Sequence, residues 1–291
     1  MTQSKTDVAM IGEYTETELH TLHQALHKIM GEVIRVCEVL QMPYFIQGGT
    51  AIGAYYEQDI LPWDDDIDVG LTRENYTRFL REAPAVVGEE FFLQHFSSDP
   101  HTPFYFAKLM LKGTTFTEAD FSSLDIQRGI YIDIFPFDKV PDRQWLQRSH
   151  RFFCNFLNGC FMAKDIWQWK HIRKCQVEKP RKRGWFPCFA TWVVCKLASK
   201  KRIYDWLSRS QALFNGGQHE YYNMVLMPRD HISVRSIENP QLIPFGPNQV
   251  WAPSDLFTYL DHHYPGVQRY VPKEKQRNHH PAYLDFGDFK G

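Results

Sequence analysis

Between Tyr44 and Val69 the chain joins two short motifs, and together they restrict its fold more than any other stretch. Tyr44 to Gln47 reads as a short strand, Gly48-Gly49 as a tight turn, and Thr50 to Glu57 as a short helix starting at that turn. Pro62-Trp63 then leads into Asp64-Asp65-Asp66-Ile67-Asp68-Val69. The last four of these alternate acidic and apolar as a half-buried strand does, and Gly70 ends the run.

Successive side chains of a strand point to opposite faces, so Asp66 and Asp68 project together while Ile67 and Val69 turn toward the core. Two carboxylates on one face repel unless a cation neutralises them. Mg²⁺, or Mn²⁺ in its place, suits such a pair, taking a few carboxylate oxygens and completing its shell with water and substrate phosphates. The glycine turn is the complementary half: Gly48 and Gly49 let the backbone approach a phosphate, and the helix from Thr50 offers free N–H groups and a positive dipole end. A Gly-Gly pair or an Asp-x-Asp is common by chance, whereas the two in this order are far more specific. A calcium loop of the EF-hand type is excluded, because its sixth position would be Val69 instead of glycine and its twelfth Asn75 instead of glutamate.

A second alternating strand sets Ile130, Ile132 and Ile134 on one face and Tyr131, Asp133 and Phe135 on the other. Asp133 is a candidate third carboxylate if the two acidic strands are neighbours. The competing reading is a structural acid paired with Arg128 or Lys108. Upstream, Thr15 and Glu18 have capping-box spacing and start a long amphipathic helix closed by Pro43. Thr72 caps a further helix through about Glu82, and the segments Phe91 to Phe96 and Phe104 to Leu111 are strand-like. Beyond Pro141 the chain turns mostly helical, with Asp142 as the cap.

The stretch GGTAIGAYYEQDILPWDDDIDVGL resembles the signature of the LicD-type phosphocholine transferases, which are similar in turn to the fukutin-related ribitol-phosphate transferases. Arg128 to Asp142 resembles the family's second block, Phe104 to Phe116 its intervening strand and Trp251 to His280 its C-terminal element, while Ala163 to Arg229 aligns little. The resemblance implies an α+β fold with a nucleotidyltransferase-like (DNA polymerase beta-like) mixed-sheet core and helical elaborations. It implies one catalytic unit: a core over about 15–142, a helical insertion over about 143–220 and a segment over about 221–291 that returns to the site. Its site would use Gly48, Gly49 and Thr50 at the glycine turn, Asp66 and Asp68 as metal ligands and Asp133 as third carboxylate. Asp64 would tune or orient that site, and Lys108 would touch a diphosphate. The activity implied is metal-dependent transfer of a phospho-alcohol, such as phosphocholine, from a CDP-activated donor to a hydroxyl of a glycan or lipid-linked glycan. Tyr264 to Lys273 lacks the family's Gly-Asp-Tyr core, so acceptor recognition can differ. Two other readings stand beside this one, a nucleotidyltransferase using a nucleoside triphosphate and a non-catalytic relative that binds metal or phosphate.

Six cysteines without a CxxC pair read as reduced thiols, and no stretch has the length and apolarity of a membrane span or the pattern of a signal peptide. A cytoplasmic protein is expected. The stretch from Lys164 to Arg202 holds twelve Lys and Arg against two acids, interleaved with tryptophans, although the whole chain is nearly neutral at −1. It fits peripheral contact with the anionic inner face of the plasma membrane better than contact with nucleic acid, and its bland alternative is a solvated basic helix pair. His279 and His280 read as surface residues within reach of the site.

Overall fold

A computed structural model describes residues 14–166, 185–227, 231–269, 276, 278, 279 and 281–291. The chain is α+β, as expected. Helix α1 (Glu16–Val39) begins at the capping box: Glu18 N–H donates to the Thr15 hydroxyl and Thr15 N–H to the Glu18 carboxylate. Its stripe of Leu22, Leu26, Ile29, Val33 and Val36 is fully buried, so the helix is pinned to the sheet by the 3.6-residue period of its apolar side chains.

The chain then forms β1 (Phe45–Ile46), α2 (Gly48–Tyr56), β2 (Asp68–Thr72), α3 (Arg73–Glu82), β3 (Phe91–Gln94), β4 (Ala107–Leu111), β5 (Thr115–Thr117) and β6 (Ile130–Val140). The main sheet runs β1-β2-β6-β4-β3, with β2 and β6 parallel and the other neighbours antiparallel. Pairing of β6 with β4 stops at Ile134, and β7 (Tyr221–Asn223) takes over at Asp138. Pro136, which has no N–H to give, sits in the gap between those two ladders. On the far side of β7 lies β8 (His231–Ser233).

The helical layer comprises α4 (Gln144–Ile166), α5 (Trp185–Leu197) and α6 (Lys200–Gln211), and it has its own small core around Cys154, Leu157, Phe161, Ile203 and Leu207. A buried ion pair ties this layer to the sheet: Arg73 Nε donates to Asp138 at 2.9 Å, and the same guanidinium reaches Ser208 and Gln211 of α6. After the short α7 (Val234–Glu238), the β9 (Gln241–Phe245) and β10 (Asn248–Ala252) hairpin leads to α8 (Leu256–His263). Strand β11 (Tyr283–Asp285) pairs with β5.

Three local expectations change. Gly70 does not end the acidic strand but lies inside β2, facing Phe45 across the β1–β2 pair; a Cβ there would overlap the Phe45 ring. Thr72 occupies the N-cap position of α3 without a side-chain capping bond. The Asp142 carboxylate does not cap α4 but accepts from the Glu220 N–H and meets His219. Of the basic stretch, residues 167–184 lie outside the described residues, as does His280.

Candidate active site

The ladders bring four polar residues into one row. Asp68 at the start of β2 is the Cα partner of Asp133 on β6, Asp133 of Lys108 on β4, and Lys108 of Gln94 on β3. Directly paired residues point to the same face. A line of polar side chains therefore crosses a sheet whose opposite face is apolar, with Ile67, Val69, Ile132 and Ile134 all fully buried. Gln94, Lys108 and Asp133 are themselves buried, so each needs partners from within the protein.

Lys108 Nζ and Asp133 Oδ1 partner each other at 3.1 Å in a buried ion pair. The ammonium also lies 3.5 Å from Glu118 and sits over the rings of Tyr131 (3.3 Å) and Phe104 (4.2 Å). The predicted diphosphate contact is thus, in this state, a buried cation held by two acids and an aromatic cage, while Arg128 donates to the carbonyls of Ser122 and Leu124 instead.

The glycine pair lies against the acids. Helix α2 starts at Gly48, whose φ of 59° lies in the left-handed region that favours glycine. A Cβ on Gly48 would come within 3.0 Å of Asp68 Oδ2, and one on Gly49 within 2.8 Å of Asp64 Oδ2. The two carboxylates thus occupy the room that the missing side chains leave. Thr50 is buried, and its hydroxyl accepts from the Asp68 N–H at 2.8 Å, clamping α2 to the start of β2. The Gly48 N–H donates to the Tyr259 hydroxyl on α8, whereas the first-turn amides of Gly49 and Thr50 have no intrahelical acceptor.

Asp65 plays a different part from its neighbours. Its side chain is fully buried and accepts from the Tyr14 hydroxyl at 2.6 Å and from the His279 N–H at 3.0 Å, with His279 Nδ1 also 3.0 Å away. Burial alone would raise its pKa, but the hydrogen bonds and charge of His279, with Tyr14, hold it below the usual carboxylate range. In return the hydrogen bond to Asp65, reinforced by the charge of Asp66, carries His279 up to about 9. Tyr14, Asp65 and Tyr259 were not predicted to act here, and His279 was expected only as a surface residue within reach. The signal for Asp65 was its parity: it alternates with Asp64 and Asp66, on the inward side with Ile67 and Val69, where an acid requires partners. His279 and Tyr14 carry no such local mark.

The remaining acids are under-neutralised. Burial, then the charges of Asp66 and Asp65, push Asp64 up to about 8; burial also raises Asp66 despite His279. Burial, with Asp66 and Glu118 adding, lifts Asp133 to about 6 against the pull of Lys108. Carboxyls clustered in this way, whose burial resists ionisation, fit a divalent cation as a shared counter-charge. Among the described residues, Asp65, Asp66 and His279 bring one potential ligand atom each within 4.8 Å of one another; Asp68 and Asp133 are not part of that group.

Residues 41–157 match the family model described as LicD/FKTN/FKRP, nucleotidyltransferase domain. Over 127 residues the chain is 30% identical to the lipopolysaccharide cholinephosphotransferase LicD of Haemophilus influenzae, covering 40% of this chain and 44% of that protein. Over 52 residues it is 36% identical to the ribitol 5-phosphate transferase FKRP of Mus musculus, covering 18% of this chain and 10% of the relative. The chain thus spans less than half the length of these curated relatives. The matched segment contains the glycine pair, all four clustered aspartates, Lys108 and Asp133, but not Tyr14, Tyr259 or His279.

Proposed function

We propose that this chain transfers a phospho-alcohol, phosphocholine or a similar group, from a CDP-activated donor to a sugar hydroxyl of a glycan or its lipid-linked precursor, on a nucleotidyltransferase-like core. The observation that carries this reading is the polar row Asp68–Asp133–Lys108, which ends against a helix start built on two glycines.

In this mechanism the amides of Gly49 and Thr50, at the positive end of α2, bind the donor's phosphates. Asp66, Asp68 and Asp133 would hold Mg²⁺ or Mn²⁺, with Asp64 adjusting the charge of the group. When bound, the cation supplies neutralisation of the negative charge on the transferring phosphoryl group. Lys108 positions Asp133 and, through its charge, attracts the diphosphate. The acceptor hydroxyl loses its proton to a carboxylate of the site, its oxygen forms the new bond to phosphorus, and the bond to the CMP oxygen breaks in line with it. The phospho-alcohol is then on the sugar and CMP departs.

The test is a donor screen with CDP-choline, CDP-ribitol and CDP-glycerol in Mg²⁺ or Mn²⁺, reading CMP release and phosphate on the acceptor. Turnover with one of them, lost in Asp68→Asn, supports the reading. Pyrophosphate released from a nucleoside triphosphate, with no CMP from any of the three, would replace it with nucleotidyl transfer.

A further inference from the structure

Charge is divided unequally along this chain. From Arg143 to Leu213 there are sixteen Lys and Arg against three acids, a net of +13; with the whole chain at −1, the remainder carries −14. The stretch that supplies the helical layer is therefore basic and the rest of the chain acidic; its described residues, 143–166 and 185–213, hold nine Lys and Arg against two acids. That layer also holds eight of the sixteen large apolar side chains exposed among the described residues.

Helical periodicity accounts for where they lie. On α4, Cys154, Leu157 and Phe161 recur at core spacing and are buried, whereas Trp145 and Phe152, seven residues apart, share the opposite stripe with Arg148. Phe152 is 77% exposed. On α6, Ile203 and Leu207 turn inward while Arg202, Trp206 and Arg209 share the outer stripe. On α5, Phe189 and Trp192 stack on each other at 6.1 Å on the surface, one turn before exposed Lys196 and Leu197. These side chains are not needed for the layer's own core, which is closed without them. No described helix is long and apolar enough to cross a membrane, so the layer can meet a bilayer only from its surface.

We propose that the outer stripes of α4, α5 and α6 form a docking face for the surface of an anionic lipid bilayer, with tryptophan and phenylalanine rings seated at headgroup depth and the flanking Lys and Arg on the phosphates. Charge complementarity selects this occupant. A second copy of the chain would bring two faces of the same strong positive charge together, and a neutral apolar partner would leave the cations without counter-charge. Aromatics interleaved with basic residues on amphipathic helices are the interfacial pattern, since rings and long basic stems each have an apolar body and a polar tip. The consequence for the transferase reading is that the acceptor is met at a membrane; the face itself stands on charge and exposure alone.

The test uses the full chain and sedimentation with vesicles of phosphatidylcholine, with and without phosphatidylglycerol. The protein is expected to bind the anionic vesicles only. Raising NaCl from about 0.1 M to about 0.5 M is expected to weaken binding about tenfold or more. The double variant Phe152→Glu/Trp206→Glu is expected to weaken it by a similar factor with an unchanged melting temperature. The charge-reversal set Lys196→Glu/Arg202→Glu/Arg209→Glu, which touches no buried residue, is expected to do the same and serves if the first variant folds poorly. Absence of binding, equal binding to neutral vesicles, a dimer in light scattering that these variants dissociate, or tight binding to nucleic acid with none to lipid would each overturn the proposal. Transfer to a soluble acceptor fragment reports on the catalytic reading separately and is expected to persist in both variants.

Discussion

The four clustered aspartates are not equivalent, and their difference has a sign that can be measured without substrate. Asp65 is stabilised by what surrounds it: Asp65→Asn places an amide N–H₂ where an acceptor stood, facing either the Tyr14 hydroxyl or the His279 N–H groups. Facing His279 the amide sets donor against donor, facing Tyr14 it obliges the hydroxyl to accept instead of donate, and either way the charge-assisted bond to His279 is lost, together costing about 2–4 kcal/mol. Asp64 and Asp66 are in the opposite condition, since the protein raises their pKa values, Asp64 to about 8. A carboxyl whose folded pKa exceeds its unfolded value destabilises the fold progressively as pH rises from the unfolded value near 3.8 through the folded one. At pH 8 in EDTA, Asp64→Asn and Asp66→Asn therefore remove a buried, under-neutralised charge and are expected to raise stability.

Urea unfolding of the three variants, in EDTA and then with excess Mn²⁺, reads both effects. In EDTA the order is Asp65→Asn below wild type and wild type below Asp66→Asn. Mn²⁺ is expected to stabilise wild type by more than it stabilises Asp66→Asn, narrowing or reversing that gap, because the buried charge removed was also the attraction for the ion. If Asp66→Asn fell together with Asp65→Asn in EDTA, or if Asp65→Asn left stability unchanged, the division between one orienting acid and a metal-ready group would be wrong.

Asp138→Ala leaves the Arg73 guanidinium buried without its counter-charge and is expected to cost about 3–5 kcal/mol in chemical unfolding, with Asp138→Asn falling between it and wild type. Gly70→Ala forces its methyl into the Phe45 ring and is expected to cost at least about 2 kcal/mol, while Gly113→Ala, whose Cβ meets nothing within 4 Å, loses only the strain of its positive φ. Burial depresses His95 to about 4, so the neutral ring stabilises the fold above the unfolded value of 6.5 and that stability drains as pH falls toward 4. The loss amounts to about 3 kcal/mol, and His95→Gln should flatten the pH dependence of the urea midpoint over that interval. Chelation with EDTA is expected to abolish CMP release, and adding back Mn²⁺ to restore it.

What could be read from the sequence was what depends on neighbours along the chain. The capping box at Thr15 and Glu18, the 3.6-residue stripe of α1 and the alternation of β6 are local patterns, and the structure follows them. The adjacency of Asp68 and Asp133 was an open condition in the sequence, because register between strands 65 residues apart is set by packing; the parallel β2–β6 pair meets it. Gly70 was misread because glycine within a strand looks like a terminator until the ring that needs its space is known. Lys108 carried two expectations, a diphosphate contact and a partner for Asp133, which no pattern on a single strand distinguishes; the ion pair at 3.1 Å meets the second.

The matched segment and the assembled site do not have the same boundaries, and the reason is physical. Residues 41–157 contain every acid of the cluster, yet the groups that set those acids' charge and position come from both sides of it: Tyr14 from before α1, Tyr259 from α8 and His279 from the final segment. The last of these continues into Ala282, whose N–H donates to the Thr117 carbonyl, and into β11 on β5, next to Glu118, which in turn meets Lys108. The C-terminal segment thus reaches from Asp65 in the acidic loop to β5, the strand just before the Glu118 that meets Lys108. An acidic cluster inside one segment is a site only when something outside fixes its geometry, and here two ends of the chain, more than 260 residues apart, close on one carboxylate to do it.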